Sequence, residues 1–142
     1  MKVIGIDPGT KSFDIFGIND GQICIDTSIP TERVMKNPEI LIETISSQEP
    51  FDLLVAPSGF GLPIKNVKDL SEKEIFELVL RKSHTQSTMG LQEVIRKIQQ
   101  KNWNAVVIPG VKHLPSIPEY RKINKIDMGT ADKVCAVVVG IR

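Results

Sequence analysis

A carboxylate followed at once by a glycine-containing turn is the sharpest chemical signal near the start of the chain. Residues 5–11 read GIDPGTK, so that Asp7 ends a β-branched run and the turn follows directly. A carboxylate in this place can hold a hydrated Mg²⁺, and the turn's backbone N–H groups can cradle phosphate oxygens. We predict that Asp7 is a catalytic, metal-holding residue and that Gly9, Thr10 and Lys11 bind phosphate. The alternative is a tight turn in which Asp7 accepts backbone hydrogen bonds.

A second constellation lies near the other end of the chain, where residues 127–133 read DMGTADK. Gly129 and Thr130 precede an apolar segment, and free N–H groups at the positive end of a helix could meet an anion. We predict catalytic roles for Asp127 and Asp132. Gly129, Thr130 and Lys133 are predicted to contact the cofactor. The alternative is a capped helix start, with Thr130 as N-cap and Asp132 complementing the helix dipole.

Two loops could supply substrate contacts. Residues 57–63 read PSGFGLP, and Ser58, Gly59 and Gly61 would let the backbone approach a ligand closely. The loop has no lysine at P-loop spacing, so it is not a Walker motif, and a plain connector is the alternative. His113 follows an apolar run and is predicted to contact substrate, against a structural hydrogen bond as the alternative.

Composition narrows the classes of protein. The 142 residues are 41% hydrophobic and 25% charged, and 18 Lys and Arg against 17 Asp and Glu leave a net charge of +1. This is the composition of one globular domain, without the overall basic field that draws proteins to nucleic acid or anionic membranes. No leader pattern and no apolar run of about 18 residues is present, so we predict a cytoplasmic protein with no membrane partner. Cys24 and Cys135 lie in apolar runs and are predicted to be buried free thiols.

The elements that would position these groups follow from apolar runs and turn signals. Asp20-Gly21 between two apolar runs predicts a hairpin and an opening three-stranded meander. The predicted strands are residues 2–7, 13–18, 22–27, 52–56 and 105–108, and the predicted helices are residues 38–49, 71–81, 88–101 and 130–141. A buried strand after a short helical turn is the alternative for residues 130–141.

This alternation predicts an α/β fold with a mixed five-stranded sheet in the order 3-2-1-4-5, with the second strand antiparallel to the others and helices on both faces. Ligands gather at the carboxyl ends of parallel strands in such sheets. The Asp7 turn, residues 57–63 and residues 109–113 should therefore converge.

The Asp7 turn resembles the first phosphate loop of the acetate and sugar kinase, Hsp70 and actin superfamily. Across the chain, five segments resemble the motifs of an archaeal family of predicted butyrate kinases: residues 6–14 (IDPGTKSFD), 57–63 (PSGFGLP), 108–111 (IPGV), 113–115 (HLP) and 126–133 (IDMGTADK). The resemblance implies that residues 1–142 form a single RNase H-like lobe, the N-terminal one, without the C-terminal lobe of that family. It also implies an ATP-dependent phosphotransferase that uses Mg²⁺ and ATP, with a nucleotide and a small acceptor, a butyrate-like carboxylate, as partners. Homodimerisation is left open.

The same residues allow two other functional hypotheses. Residues 6–10 also resemble the opening of Holliday-junction resolvases, and Asp127 with Asp132 resembles their closing carboxylates, which implies a Mg²⁺-dependent nuclease. The end of the predicted fourth strand, where residues 53–57 read LLVAP, lacks the acidic residue that those enzymes carry there, and the near-neutral charge argues against nucleic acid. The other alternative hypothesis is a non-catalytic lobe that senses a nucleotide or serves as a scaffold.

Overall fold

A mixed open sheet forms the centre of the protein in a computed structural model that describes residues 1–79, 86–123 and 129–140. The strands are β1 (Lys2–Pro8), β2 (Ser12–Asn19), β3 (Gln22–Pro30), β4 (Leu53–Val55), β5 (Lys65–Asn66) and β6 (Ala105–Val107). The helices are α1 (Thr31–Lys36), α2 (Glu39–Ser46), α3 (Glu72–Val79), α4 (Gln86–Gln100) and α5 (Ala131–Gly140), and short 3₁₀ turns cover Val67–Asp69, Val111–His113 and Glu119–Arg121. The α/β class predicted from the sequence is confirmed.

The opening meander is confirmed. Asp20 and Gly21 both have positive φ, 48° and 82°, as a two-residue turn that matches the right-handed twist of its strands requires. β1 pairs with β2 along its whole length, which sets Asp7 opposite Asp14. β2 pairs antiparallel with β3, with a register shift at Gly17/Ile18.

The sheet has six strands in the described residues, in the order β3-β2-β1-β4-β6-β5, so the prediction of five was wrong in number. β1 pairs parallel with β4, and β4 parallel with β6, so the five predicted strands keep their relative order. The added strand β5 is two residues long and pairs antiparallel with β6 at the edge. Two residues carry no periodic signal, and only the neighbouring strand makes them extended.

One face of the sheet carries the hydrophobic core. Alternate residues of β1 and β2, among them Ile4, Ile6 and Ile15, are buried there, as the period of two demands. The helices α1, α2 and α4 pack together on one another, with α1 against β2 and β3. α1 was not predicted: it occupies Thr31–Lys36 and ends at Asn37, because Pro38 cannot continue it.

The last described segment is the helix α5, which decides between the two predicted alternatives. Its Cys135 is exposed, and Cys24 on β3 is partly exposed. Both thiols are free, but the prediction that they are buried was wrong, because apolar neighbours in sequence do not fix which face of an element is covered.

Across the described ranges, no helix has the length and hydrophobicity needed to span a membrane.

The start of α3 shows how a local motif fixes an element. The Ser71 N–H donates to Glu74 Oε2 at 2.8 Å, and the Glu74 N–H donates to Ser71 Oγ at 3.3 Å, which together form a capping box. Lys65 Nζ donates to both Glu74 carboxylate oxygens, at 2.8 and 3.0 Å. This carboxylate therefore joins the edge strand β5 to α3. The predicted end of this helix, residues 80–81, lies outside the described residues.

The contacts of Glu74 should make the stability of the protein depend on pH. The hydrogen bond from Lys65, with those from Ser71, lowers the pKa of Glu74 from 4.5 to about 2. Because the folded-state pKa is the lower one, this stabilisation is present above pH 4.5 and is lost as the pH falls towards 2. In urea denaturation at several pH values, Glu74→Gln should therefore lower the free energy of unfolding at pH 7 and have a progressively smaller effect below pH 4.5.

The matched control is Lys65→Met, which removes the largest cause of the low pKa. In this background Glu74→Gln should show a smaller difference between pH 7 and acid. An effect of Glu74→Gln that is equally large at neutral and acid pH would contradict this account.

Candidate functional site

A cavity of about 780 Å³ opens at the carboxyl ends of the parallel strands, where the predicted site residues should converge. It is lined by segments far apart in the sequence: the turn after β1, the loop after β4 and the first turn of α5. The predicted residues that line it are Asp7, Gly9, Thr10, Ser58, Gly59, Thr130, Asp132 and Lys133. The fold thus joins the first and last constellations of the sequence in one concavity.

Other predicted residues lie elsewhere. Lys11 is exposed, Gly61 is buried against another loop, and neither lines this cavity. His113 and Gly129 are partly buried and also lie outside its lining. Asp127 is outside the described residues.

Carboxylates crowd the polar end of the cavity. Partial desolvation, together with the charges of Asp132 and Asp14, raises the pKa of Asp7. Desolvation also acts on Asp132, but hydrogen bonds from Lys133 and Thr130 outweigh it and lower the pKa of Asp132. Lys133 Nζ lies 2.8 Å from Asp132 Oδ2. Asp132 therefore has a direct counter-charge, whereas the charge of Lys133 offsets only part of the desolvation and repulsion at Asp7.

The turn after β1 is fixed by the unpredicted helix α1. The Thr31 hydroxyl donates to the Gly9 carbonyl at 2.8 Å, and the Thr31 N–H donates to the Lys11 carbonyl at 2.9 Å. A Cβ on Gly9 would lie 2.7 Å from the Ser12 carbonyl oxygen, so only glycine fits this turn. The Gly9 N–H itself donates to the Asp7 carbonyl at 3.1 Å. The turn is therefore held through the Gly9 and Lys11 carbonyls, and the Gly9 N–H already has an acceptor.

The start of α5 is also tied to the protein. The Ala131 N–H donates to the Gly59 carbonyl at 2.9 Å, and the Lys133 N–H donates to the Thr130 carbonyl at 3.1 Å. The Thr130 hydroxyl donates to the Asp132 carboxylate. These two backbone donors already have acceptors, so a ligand would meet the Thr130, Asp132 and Lys133 side chains more readily than a bare helix end.

Ser58 is a structural bridge between β4 and β6. Its side chain is buried, donates to the Ala56 carbonyl at 2.8 Å and accepts from the Ile108 N–H at 3.0 Å. The hydroxyl thus joins the ends of two parallel strands at the wall of the cavity. This arrangement positions the loop, and it explains a serine at this place without any contact to substrate.

His113 makes the structural hydrogen bond that was the alternative to a substrate contact. Its Nδ1 accepts from the Gly110 N–H at 3.2 Å. Burial, aided by the neighbouring Lys112, lowers the pKa of His113. A neutral imidazole with Nδ1 unprotonated stabilises the loop after β6.

The loops after β4 and β6 pack through glycines. Gly61 has φ 77°, and a Cβ there would lie 1.9 Å from the Gly110 N. A Cβ on Gly110 would lie 2.3 Å from the Phe60 carbonyl oxygen. The backbones touch here because neither residue has a side chain. Gly61 therefore acts behind the cavity wall, on its geometry.

A family model described as "Protein of unknown function (DUF1464)" matches residues 5–142. The chain belongs to this family. A comparison with the curated proteins finds no match. The match covers the turn after β1, the loop after β4 and the first turn of α5, which meet at the cavity in this DUF1464 member.

Some residues that line the cavity were not predicted from the sequence as site residues. Asp14, Phe16 and Ile18 on β2 line the cavity together with Val3 and Gly5 on β1. The signal was present, since residues 14, 16 and 18 alternate with the buried residues 13 and 15 and must share the opposite face. Asp14 Oδ1 accepts from the hydroxyls of Ser12 and Ser28, at 2.9 and 2.6 Å.

Because the loops after β4 and β6 are in backbone contact at Gly61 and Gly110, a single added methyl group should lower the free energy of unfolding substantially. Gly61→Ala adds a Cβ that collides with the Gly110 backbone at a positive φ, and should destabilise the protein by about 3 kcal/mol. Gly21→Ala is the matched control, because Gly21 also has positive φ, 82°, but nothing lies within 4 Å of its Cβ position. It should cost about 1 kcal/mol. Chemical denaturation measures the free energy of unfolding of both variants. Equal losses of stability would mean that the contact between the loops contributes nothing to the effect of Gly61→Ala.

Proposed function

We propose that this chain is the phosphate- and metal-binding lobe of an ATP-dependent phosphotransferase with a small carboxylate, butyrate-like, as acceptor. The reaction would transfer the γ-phosphoryl group of Mg-ATP. An acceptor carboxylate oxygen would bond to the γ-phosphorus while the bond to the β–γ bridging oxygen breaks, which yields an acyl phosphate and ADP. An ionised carboxylate has no proton to lose, so positioning and charge neutralisation carry the catalysis.

The observation that carries the proposal is the meeting of Asp7 and Thr10 with Asp132 and Lys133 in one cavity at the ends of parallel strands. Phosphoryl transfer needs oxygen ligands for a cation next to donors for phosphate. Asp7 would hold the metal, and Thr10 would bind phosphate, while Gly9 shapes the turn that presents both. The Lys133 ammonium offers further donors, and the Thr130 hydroxyl orients Asp132 beside it. Gly129 and Asp127 are neighbours in the same sequence motif.

The residues present fit Mg²⁺. Asp7 and Asp132 are oxygen donors, and the raised pKa of Asp7 reflects desolvation and negative neighbours that a divalent cation would offset. In the part of the chain that the structure describes, no three His, Cys, Asp or Glu side chains form a ready metal cage. Mg²⁺ needs none, since it is commonly held by one or two carboxylates and keeps several waters. When bound, it would neutralise charge on the transferred phosphate.

The topology supports an RNase H-like lobe of the actin and kinase superfamily. An antiparallel β1–β2–β3 meander followed by β4 and β6 parallel to β1 matches the predicted strand order. The other members of the cavity wall, Ser58 and Gly59, would then shape the acceptor pocket, with Gly61 and His113 behind them. A nucleotide-dependent reaction also suits the cytoplasm, the location predicted from the sequence.

The proposal is tested by thermal melts of the wild type and Asp7→Asn with and without Mg²⁺ and ATP. Mg²⁺ should raise the melting temperature of the wild type, since a ligand that binds only the folded state stabilises it. Asp7→Asn should lose this shift because its amide is a poor Mg²⁺ ligand. Added ATP should increase the wild-type shift. Asp26→Asn, which removes an exposed carboxylate on β3, is the matched control and should behave as the wild type.

The possible results separate the functions. Equal Mg²⁺ shifts in the wild type and Asp7→Asn would remove the metal site. A Mg²⁺ shift with no further ATP effect would mean that nucleotide binding needs a second lobe. Cleavage of branched DNA by the wild type, lost in Asp7→Asn, would replace the kinase proposal with the resolvase-type nuclease. In the protein that turns over ATP, Asp7→Asn should abolish phosphoryl transfer while the fold stays intact.

A further inference from the structure

The cavity continues from its polar end over an apolar floor that the proposed phosphoryl chemistry does not use. This floor is formed by one face of three neighbouring strands: Val3, Gly5, Phe16, Ile18 and Val55. Cys135 of α5 lines the same cavity. The space therefore has a polar end at Asp7 and an apolar floor, the arrangement of a site for an amphipathic ligand.

Gly5 makes a hollow in the middle of this floor. It pairs with Phe16 on one side and with Val55 on the other. A Cβ at Gly5 would find no atom closer than the Phe16 carbonyl oxygen, at 3.9 Å. The fold thus does not need glycine here for space or for a positive φ. What the missing side chain provides is room above the sheet, between Phe16 and Val55.

The floor is long enough for more than a four-carbon chain. Asp7 and Val3 are four residues apart on β1, which spans about 13 Å. With carbon–carbon bonds of about 1.5 Å in zigzag, this length matches an extended chain of about ten carbons. Phe16 and Ile18 are 43% and 40% exposed. A chain lying over Gly5 would cover apolar surface that otherwise faces water.

We propose that the cavity binds an aliphatic carboxylate of about eight to ten carbons, with its carboxylate at the Asp7 end and its chain over Gly5 towards Val3 and Ile18. The placement of the carboxylate rests on the proposed function, because a cation at Asp7 and the Lys133 ammonium would supply its charge partners and the Thr10 hydroxyl would donate a hydrogen bond. The placement of the chain rests only on the floor. The preferred acceptor of the phosphotransferase is then a longer member of the same class of aliphatic carboxylates, a medium-chain acid.

The first test measures binding of straight-chain carboxylates from butyrate to dodecanoate by calorimetry, with Mg²⁺ and below their micelle concentrations. Each added methylene that reaches the floor should tighten binding about fourfold. The gain should stop near decanoate, where the floor ends. Affinity that does not change from butyrate to decanoate would overturn the proposal.

A pair of identical substitutions locates the chain. Ile18 and Ile23 are cross-strand partners on β2 and β3, but only Ile18 lines the cavity. Ile18→Ser should leave butyrate binding unchanged and weaken decanoate binding at least tenfold. Ile23→Ser, at a residue that is 64% exposed, should change neither. Equal effects of both substitutions on decanoate would contradict the placement.

Filling the hollow gives a second, independent variant. Gly5→Val adds a side chain that strands favour and should reduce decanoate affinity to that of butyrate, with Gly140→Ala as a control at an open position outside the cavity. In a Cys24→Ser background, decanoate should slow alkylation of Cys135, and Gly5→Val should abolish this protection. Unchanged protection in folded Gly5→Val would overturn the proposal, even if Ile18→Ser behaved as expected.

The two proposals fail separately. Turnover of ATP with butyrate that gains nothing from longer chains would leave the phosphotransferase standing and remove the medium-chain acceptor. Binding that depends on chain length, without phosphoryl transfer, would leave the medium-chain ligand standing and remove the phosphotransferase. A concentration-dependent dimer that Ile18→Ser dissociates, without any chain-length dependence, would assign the floor to a second copy of this chain and overturn the proposal.

Discussion

Parallel pairing of β1 with β4 is the constraint on which the rest of the arrangement depends. It aligns the carboxyl ends of the two strands, so that the Asp7 turn and the loop after β4 open at the same edge of the sheet. The loop after β4 then holds α5 through the hydrogen bond from the Ala131 N–H to the Gly59 carbonyl. Asp132 reaches Asp7 because of this chain of backbone contacts, although 124 residues separate them in the sequence.

Carboxylates outnumber the positive charges among the described residues that line the cavity. Asp7, Asp14 and Asp132 all face the cavity, and the counter-charge within it, Lys133, is paired with Asp132. Two serine hydroxyls, those of Ser12 and Ser28, donate to the same oxygen of Asp14. In the proposed function, this surplus of negative charge would repel an anionic ligand until a cation binds. Metal binding and phosphate binding are therefore coupled steps in the proposed function.

The polar and apolar parts of the cavity come from the same strands. Along β1 and β2, one set of alternate residues fills the core, and the other set forms the cavity floor and ends in Asp7 and Asp14. The carboxylates are thus in fixed register with Gly5 and Phe16, since a slip of one residue would exchange the two faces. A ligand that uses both parts is positioned by the sheet itself, not by mobile side chains.

The sequence by itself determined what depends on near neighbours: the Asp20-Gly21 hairpin, the Ser71–Glu74 capping box, the helical faces and the Asp7 turn. These features gain most of their free energy within a few residues, so their signals are local. Only the tertiary structure decided that Asp7 meets Asp132, that Ser58 and His113 serve as structural bridges, and that Gly5 and Ile18 form a floor. It also added α1 and the two-residue strand β5. These outcomes depend on pairing and burial between distant segments, which no local pattern encodes.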